Sequence, residues 1–345
     1  MHFASCIDPD PSIDIVTDAS GFSVRPASLD DAGVITEIVN DCIVAELGVP
    51  WTSLGETRDD LSAPERDPSS DDAIVVDAYG TPVGYLQLAG DSDASTELHS
   101  QVFVRPGCWG LGLSALLVRL GEERARAKLR RTPAKERLML RVARFAHNQA
   151  AGRLFDSLGY AYARTVWMMR IELHEPPPRG GALAGAAIRT FDTERDARAT
   201  HAALVEAFED HWSDVMPSYE EWRHREIEGE GASFDPGLWF LAVDGDEIVG
   251  AACCRARTAR DPDMAQVEVL GMRRSWRGRG IGLALLSAAF EELRRRRIPR
   301  AELSVDSENP TGATRLYERA GMHVAYAWEL WEMELRPADD DDMDA

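Results

Sequence analysis

The sequence predicts two α/β (α+β) domains in tandem, each a mixed β-sheet flanked by helices, and three observations lead to this fold class. The chain has 345 residues, about twice the length of a common domain. A stretch rich in prolines and small residues at 174–186 divides it into two similar halves and is the predicted linker. Strand-like and helix-like patterns alternate within each half. We therefore expect a first domain at 21–173 and a second at 187–336.

The two halves repeat the same features in the same order. The hairpin pattern Ala73–Ala89 matches Leu238–Cys254, with glycine in the turn and in the second strand of both. A Gly-rich turn that opens a helix follows in each half. The stretch NQAAGRLFDSLGY of the first half then matches NPTGATRLYERAGM of the second. Several matched features at a nearly constant offset indicate an internal duplication.

The second half shows the predicted elements most clearly. Apolar residues recur at helical spacing after the Gly-rich turn, and Gly321 ends a second, shorter helix. In chain order, the predicted elements are the strand Gln266–Met272, the helix Leu283–Arg297, the strand Ala301–Val305, the helix Ala313–Ala320 and the strand Val324–Leu335.

Composition excludes several classes of protein. With 44% hydrophobic and 28% charged residues, the chain is neither disordered nor collagen-like nor a disulfide miniprotein. A net charge of −21 argues against nucleic acid as a partner, because the protein's field would repel a polyanion. No apolar run approaches the ~18 residues of a membrane span. We expect a cytoplasmic monomer or homodimer with reduced cysteines, no metal and no membrane partner.

Both ends of the chain lack the pattern of a folded element. Residues 1–20 show no periodicity, and they carry acids and prolines where a signal peptide has a basic and then an apolar run. The tail 337–345 is a run of acidic residues, whose mutual repulsion favours disorder. We expect both segments to be disordered.

The main chemical signal is the loop Arg277–Gly282, which follows a predicted strand and opens a helix. Its glycines allow a phosphate to approach the backbone, and the helix N-terminus supplies N–H donors. The loop is neither a dinucleotide fingerprint nor a P-loop, because the spacing of its glycines and the residues after them differ. Taken alone, it is compatible with a purely structural turn as well as with a pyrophosphate site.

A second motif decides between these two interpretations. Asn309–Met322 resembles the N…A..LY…GF signature of the GCN5-related N-acetyltransferase (GNAT) superfamily. Arg277-x-x-Gly280-x-Gly282 resembles the Q/R-x-x-G-x-G/A loop of the same family. The resemblance extends over both halves, and the tandem arrangement is similar to that of the mycothiol synthases.

The resemblance implies acetyl transfer from acetyl-CoA to an amine, on a sheet whose fourth and fifth strands splay apart around the pantetheine arm. It also implies the residues that hold the cofactor. Leu270 and Met272 would offer backbone groups to the arm and to the thioester carbonyl, and Asn309 would contact the pantetheine. The pyrophosphate would be held by the loop residues Arg277, Gly278, Arg279, Gly280, Ile281 and Gly282.

The chemistry of the reaction suggests a base and an acid. An alkyl amine has a pKa near ~10, so it must lose a proton before it attacks. Glu268 lies on the strand before the loop, where simple alternation places it on one face with Leu270 and Met272. It is our candidate base, although a surface role is the alternative and some family members place their carboxylate at the position of Gln266. Tyr317 is the candidate acid that returns a proton to the CoA thiolate.

The acceptor is less well defined by the sequence. His211 and Trp212 lie in the helical region that forms the acceptor wall in this family, where they either contact substrate or pack. The negative charge of the chain favours a small cationic amine as acceptor. The alternatives are a protein or peptide N-terminus as acceptor, or a non-catalytic acyl-CoA-binding regulatory protein.

The first half departs from the pattern at the positions that carry the chemistry. Four replacements stand at the matched positions: Trp109 for Arg277, Ser114 for Gly282, Ser100 for Glu268 and Phe155 for Tyr317. At these four matched positions, the first half therefore lacks the base, the acid and the phosphate-binding cation. We therefore predict that the first domain is non-catalytic and that the second carries the transferase site.

Overall fold

The computed structural model describes most of the chain. The described residues are Ser5 and residues 21–63, 66–90, 97–129, 137–178, 185–209, 216–228, 234–258, 261–309 and 311–337. The predicted disorder at 1–20 and 337–345 falls outside them, except at Ser5 and Pro337. Residues 179–184 of the predicted linker are likewise outside, and its described part has no helix or strand.

Each half folds into alternating strands and helices. The first half contains β1 (Phe22–Pro26), α1 (Ala32–Leu47), α2 (Leu54–Leu61), α3 (Pro68–Asp71), β2 (Ala73–Asp77), β3 (Pro82–Gly90), β4 (Glu97–Val104), α4 (Leu113–Leu129), β5 (Leu138–Phe145), α5 (Gln149–Ser157) and β6 (Ala161–Glu172). The second contains β7 (Ala187–Thr190), α6 (Thr193–Phe208), α7 (Tyr219–Arg223), β8 (Trp239–Asp244), β9 (Glu247–Arg255), β10 (Met264–Met272), α8 (Ile281–Arg295), β11 (Arg300–Asp306), α9 (Ala313–Arg319) and β12 (His323–Arg336). The predicted α/β fold class and the five predicted elements of the second half are confirmed.

The chain forms two compact units. Unit 1 comprises residues 1–166 and 326–345, and unit 2 comprises residues 167–325. The strand order is β1-β2-β3-β4-β5-β12 in unit 1 and β6-β11-β10-β9-β8-β7 in unit 2. Within each unit the fourth and fifth strands of the half run parallel, and their outer neighbours are joined antiparallel.

The units differ from the predicted domains at two strands. The sequence-based boundary assigns Val324–Leu335 to the second domain, but β12 pairs antiparallel with β5 and belongs to unit 1 from Tyr326 onward. Charge pairing supports this register, since Arg141 lies 2.8 Å from Glu332 across the two strands. Residues 167–172 of β6 correspondingly belong to unit 2. The hydrophobic pattern predicts that a segment is a strand, but it does not identify the strand with which that segment pairs.

Helices cover both faces of the sheet in each unit. In unit 1, Val75 and Val102 belong to an apolar cluster with α4 and α5, whereas their neighbours Ile74 and Phe103 belong to a cluster with α1. Unit 2 has the same arrangement, with α8 and α9 against one face and α6 and α7 against the other. Each large apolar side chain buried in these layers contributes about 1.5–3 kcal/mol to stability.

The described residues were searched for membrane-spanning helices, metal-binding clusters and disulfides. No described helix combines the length and the apolar character that a membrane span requires. Within the same residues, no three His, Cys, Asp or Glu side chains converge to hold a metal ion. The four cysteines that are described, Cys42, Cys108, Cys253 and Cys254, are free thiols.

Candidate active site

A β-bulge in β10 positions the candidate base. Leu270 to Met272 pair with Ala252 to Gly250 in one register, and Gln266 and Val267 pair with β9 in another. Glu268 is therefore the extra residue between the two registers. Val267 and Leu270, three residues apart, both pack against the α8 face. The expected alternation that places Glu268 on the face of Leu270 and Met272 thus does not hold across the bulge.

The strands β10 and β11 part just before this bulge. Their parallel pairing runs from Met264 to Gln266 and goes no further. The Arg273 N–H donates to the Val249 carbonyl, so the alternation of an antiparallel ladder turns the backbone groups of Leu270 and Met272 away from β9. These groups therefore face the gap between β10 and β11. The fourth and fifth strands of the second half thus splay apart, as expected from the family resemblance.

The Gly-rich loop lies at the end of β10 and presents an open surface. Gly278 and Gly280 have φ of 76° and 81°, a left-handed conformation that favours glycine. Apart from the adjacent residues of the chain, a Cβ atom at either position would meet no atom of the described residues within 4 Å. Gly280 is the N-cap of α8 and provides no side-chain cap, so the first N–H groups of a 15-residue helix stay available at this opening. The loop can accept an anion on its backbone.

The side chains around this opening make contacts with other residues of the protein. The Arg277 guanidinium donates to the carbonyl oxygens of Ala207, at 2.8 Å, and Met272, at 3.5 Å. The Arg279 guanidinium lies 4.6 Å from the centre of the Trp276 ring. At Gly282 a Cβ atom would lie 2.8 Å from the Leu316 side chain, so this glycine allows α8 to pack closely. Backbone amides, more than these side chains, are therefore available to an anion at this opening.

Glu268 belongs to a cluster of charged side chains. Its Oε1 lies 2.5 Å from Nε of Arg255, whose other nitrogen donates to Glu226 at 2.8 Å. Burial raises the pKa of Glu268, while Arg255 opposes that rise. No described residue bonds to Oε2 of Glu268. A carboxylate with one oxygen held, the other free and a raised pKa has the properties of a general base.

The candidate acid lies on α9. Tyr317 is 8% exposed within the apolar cluster of unit 2, and burial raises its pKa to about 12. Its hydroxyl forms no hydrogen bond with any described residue, so its proton is available for donation. Asn309, before the same helix, accepts the Thr311 N–H at 2.9 Å with Oδ1. The Thr311 hydroxyl also donates to Oδ1, so the amide nitrogen is the part of the Asn309 side chain that is left for a ligand.

Two predicted acceptor residues cannot be placed. His211 and Trp212 lie outside the described residues. Conversely, Arg255 and Glu226 contribute to the cluster around Glu268 although sequence reasoning did not select them. Arg255 ends the second strand of the hairpin, next to the paired strand that carries Glu268, and this adjacency is the signal that could have revealed it.

The matched loop of unit 1 keeps its backbone conformation. Gly110 and Gly112 have φ of 79° and 73°, close to the values in unit 2. The Trp109 indole N–H donates to the Val104 carbonyl at 2.9 Å, the counterpart of the Arg277 contact with Met272. The loss of the arginine thus leaves the loop geometry intact.

The strand of unit 1 differs at the base. Strand β4 pairs with β3 in a single register without a bulge, and Ser100 lies opposite Leu88. Its counterpart in unit 2 is Val267, which lies opposite Cys254. The predicted match of Ser100 with Glu268 is therefore corrected, because the bulge adds Glu268 as a residue that β4 lacks.

A cavity of about 350 Å³ is present in unit 1. Its lining includes Trp109 of the loop, Asn148 at the start of α5, and Glu46. Glu46 contacts His147 at 2.5 Å and Asn148 at 2.9 Å. Val102 and Ala143, which border the strand gap of that unit, are not among its lining residues.

Comparison with known sequences identifies acetyltransferases as relatives of this chain. The sequence profile of the acetyltransferase (GNAT) family matches residues 37–160 and 198–322. A mycothiol acetyltransferase of Thermobispora bispora is 31% identical over 269 residues, which are 74% of this chain and 85% of the relative. A mycothiol acetyltransferase of Geodermatophilus obscurus is 33% identical over 258 residues, 72% of this chain and 78% of the relative.

Solved structures share the fold. A GCN5-related N-acetyltransferase from Sphaerobacter thermophilus is 34% identical with a TM-score of 0.78, covering 92% of this chain and 97% of that chain. A tandem GNAT protein from the clavulanic acid biosynthesis pathway is 17% identical with a TM-score of 0.65, covering 92% and 100%. The second likeness concerns the fold alone. The duplication read from the sequence is confirmed by the two profile matches.

Proposed function

Because the chain belongs to the acetyltransferase (GNAT) family, we propose that unit 2 transfers the acetyl group of acetyl-CoA to the primary amine of a small cationic molecule. One observation carries the assignment to unit 2. The gap between β10 and β11 leads from the bulged Glu268 to the open loop at Gly278 and Gly280. The proposed base, the gap for the cofactor arm and the proposed anion-binding loop thus follow one another along β10 and its C-terminal end.

The residues of unit 2 fit acetyl-CoA. Its pyrophosphate matches the uncapped N-terminus of α8 and the open space over Gly278 and Gly280. Its extended arm matches the gap, where Leu270 and Met272 turn their backbone groups away from β9. When bound, acetyl-CoA supplies the acetyl group as a reactive thioester. The Leu270 N–H is then placed to donate to a carbonyl oxygen in the gap and to stabilise negative charge on it.

In this proposal Glu268 prepares the acceptor. A primary amine arrives protonated at neutral pH, and Oε2 of Glu268 removes the proton directly or through water. Arg255 holds the other oxygen, so the carboxylate stays oriented when a substrate enters. The raised pKa makes the carboxylate a stronger base than an exposed glutamate.

Tyr317 completes the reaction. Its pKa of about 12 keeps the phenol protonated at neutral pH, so it can donate a proton to the departing thiolate. A binding protein without catalysis needs neither a free carboxylate oxygen at Glu268 nor an unbonded phenol at Tyr317. The presence of both in one unit supports an enzyme over an acyl-CoA-binding regulator.

A direct assay tests the reaction and narrows the acceptor. Release of thiol from acetyl-CoA would be followed with a panel of amines: diamines and polyamines, amino sugars, the acceptor of the mycothiol acetyltransferases, and short peptides with free N-termini. We expect turnover with a small cationic amine, and faster turnover than with a matched anionic amine at low ionic strength. Turnover restricted to peptides would replace the proposed acceptor class. Absence of acetyl-CoA binding, measured by calorimetry, would remove the proposal altogether.

A further inference from the structure

Ser5 lies between β4 and β5 of unit 1, where their own pairing has ended. That pairing stops at Ser100 and Val142. Beyond it, the Ser5 N–H donates to the Ala143 carbonyl oxygen at 2.6 Å. The Val102 N–H donates to Ser5 Oγ at 3.1 Å, and Ser5 is 0% exposed. A single residue from the N-terminal segment therefore bonds to both strands and fills the space between them.

The register shows which group of unit 2 corresponds to the one that Ser5 uses. Val104 pairs with the hairpin glycine Gly84, and Met272 pairs with the hairpin glycine Gly250. Two residues earlier along each strand lie Val102 and Leu270. The Val102 N–H, which donates to Ser5, is thus the counterpart of the Leu270 N–H, which faces the gap of unit 2.

Exposure distinguishes the two gaps. Val102 is 0% exposed and Ala143 is 5% exposed. In unit 2, Leu270 is half-buried, and Ser304, which corresponds to Ala143 by the pairing of the parallel strands, is exposed. No described residue pairs with β10 on its β11 side after Gln266. The gap of unit 1 is filled by the chain, whereas the gap of unit 2 is accessible to a ligand.

We propose that Ser5 takes, in unit 1, the position that the pantetheine arm takes in unit 2, so that the full chain binds acetyl-CoA only in unit 2. The arm carries amide groups and would need the same Val102 N–H and Ala143 carbonyl that Ser5 already uses. Since Gly110 and Gly112 keep the loop conformation of unit 2, Ser5 and not the loop closes unit 1. This inference rests on the proposed function, because it takes the gap of unit 2 as the site of the arm.

Hydrogen exchange of single backbone amides in the full chain tests the inference. The Val102 amide should exchange slowly without any ligand and should not change when acetyl-CoA is added. The Leu270 amide should exchange fast alone and at least about tenfold more slowly with saturating acetyl-CoA. Calorimetric titration of the same protein should give one equivalent. Slowing of the Val102 amide by acetyl-CoA, or a second equivalent, would overturn the inference.

A variant separates this inference from the function on which it rests. Ser5→Pro removes both the N–H and the hydroxyl, so the Val102 amide should exchange at least about tenfold faster while the Leu270 amide is unchanged. Unchanged protection of Val102 in that variant would contradict the role of Ser5. If acetyl-CoA fails to slow exchange of the Leu270 amide in the wild-type protein, the proposed function is contradicted. That result would not affect the inference that Ser5 fills the gap of unit 1.

Discussion

Units 1 and 2 share a fold and a loop conformation, but β10 of unit 2 has one residue more than the matched strand β4 of unit 1. Strand β10 carries the extra residue Glu268, and β4 pairs with its neighbour without interruption. The insertion shifts the register and places a carboxylate beside the strand gap, with Arg255 on the adjacent strand. Unit 1 keeps the gap but fills it with Ser5. Among the described residues, the bulge at Glu268 and the open strand gap occur in unit 2 and not at the matched positions of unit 1. Under the proposed function, these are the two features that carry the chemistry.

The largest expected effect is at the bulge. Glu268→Gln keeps the shape and removes the basic oxygen, so kcat/KM should fall about 10²-fold. The loss should be largest between the pKa of Glu268 and that of the amine, where the wild-type carboxylate is deprotonated and the amine is protonated. It should be smaller below the pKa of Glu268, where the wild type also lacks its base. Steady-state kinetics over a range of pH measures this. Gln266→Ala, on the same strand, is the matched control and should retain most of the activity. A greater loss with Gln266→Ala than with Glu268→Gln would contradict the role of Glu268 as the base, because the neutral Gln266 amide cannot take up the proton of the amine.

The second effect concerns the proton donor. Tyr317→Phe removes only the hydroxyl, so kcat should fall at least about tenfold while the Kd for acetyl-CoA stays within about twofold. The control is Phe155→Leu at the matched position of unit 1, which should leave kcat unchanged. Comparison of kcat with calorimetric Kd separates the two roles. A loss of kcat smaller than about threefold would remove Tyr317 from the mechanism.

A smaller effect is expected in the pH dependence. Burial raises the pKa of Glu268, Arg255 lowers it, Glu226 raises it, and Arg225, next to Glu226, lowers it. Burial raises the pKa of the thiols of Cys253 and Cys254 on β9, and the nearby charge of Glu268 also raises it. Because the active base is deprotonated, activity rises as pH passes the pKa of Glu268. Arg255→Gln should therefore shift the acid limb of kcat/KM to higher pH, and Glu226→Gln should shift it to lower pH. Shifts in the same direction would contradict the assignment of that limb to Glu268.

The smallest effect concerns stability. A Cβ atom at Gly282 would lie 2.8 Å from Leu316 and 3.1 Å from Met272, so Gly282→Ala overpacks the start of α8. Overpacking costs about 1–3 kcal/mol, and the better helix propensity of alanine returns up to about 1 kcal/mol. We expect a net loss of about 1 kcal/mol in denaturant unfolding, with acetyl-CoA affinity changed little. Ser114→Ala at the matched position should change stability less. A large loss of affinity with unchanged stability would return Gly282 to the anion site.

Much of this account was predictable from the sequence. Glycine spacing and apolar periodicity gave the loop, the helix after it and the strand before it. Gly278 and Gly280 have the left-handed φ that their residue type indicates, and Tyr317 lies on the predicted short helix. These features depend on local sequence, which a single chain displays directly.

Features that depend on pairing partners were not predictable. The bulge at Glu268 exists only relative to β9, so β10 read alone shows an ordinary strand. Alternation then gave the wrong face for Glu268 and the wrong counterpart for Ser100. The pairing of β12 with β5 and the position of Ser5 also arise from contacts between distant segments. Cutting the chain at the linker would therefore remove residues 326–336 from unit 1 and residues 167–172 from unit 2.

The most direct test of the central claim compares matched glycines in the two loops of the full chain. Gly280 and Gly112 have φ of 81° and 73°, so a leucine imposes similar backbone strain at either position. Calorimetric titration with acetyl-CoA should show that Gly280→Leu weakens binding at least tenfold, about 1.4 kcal/mol, whereas Gly112→Leu leaves the wild-type affinity and one equivalent. Loss of binding in Gly112→Leu with full binding in Gly280→Leu would contradict the assignment of acetyl transfer to unit 2.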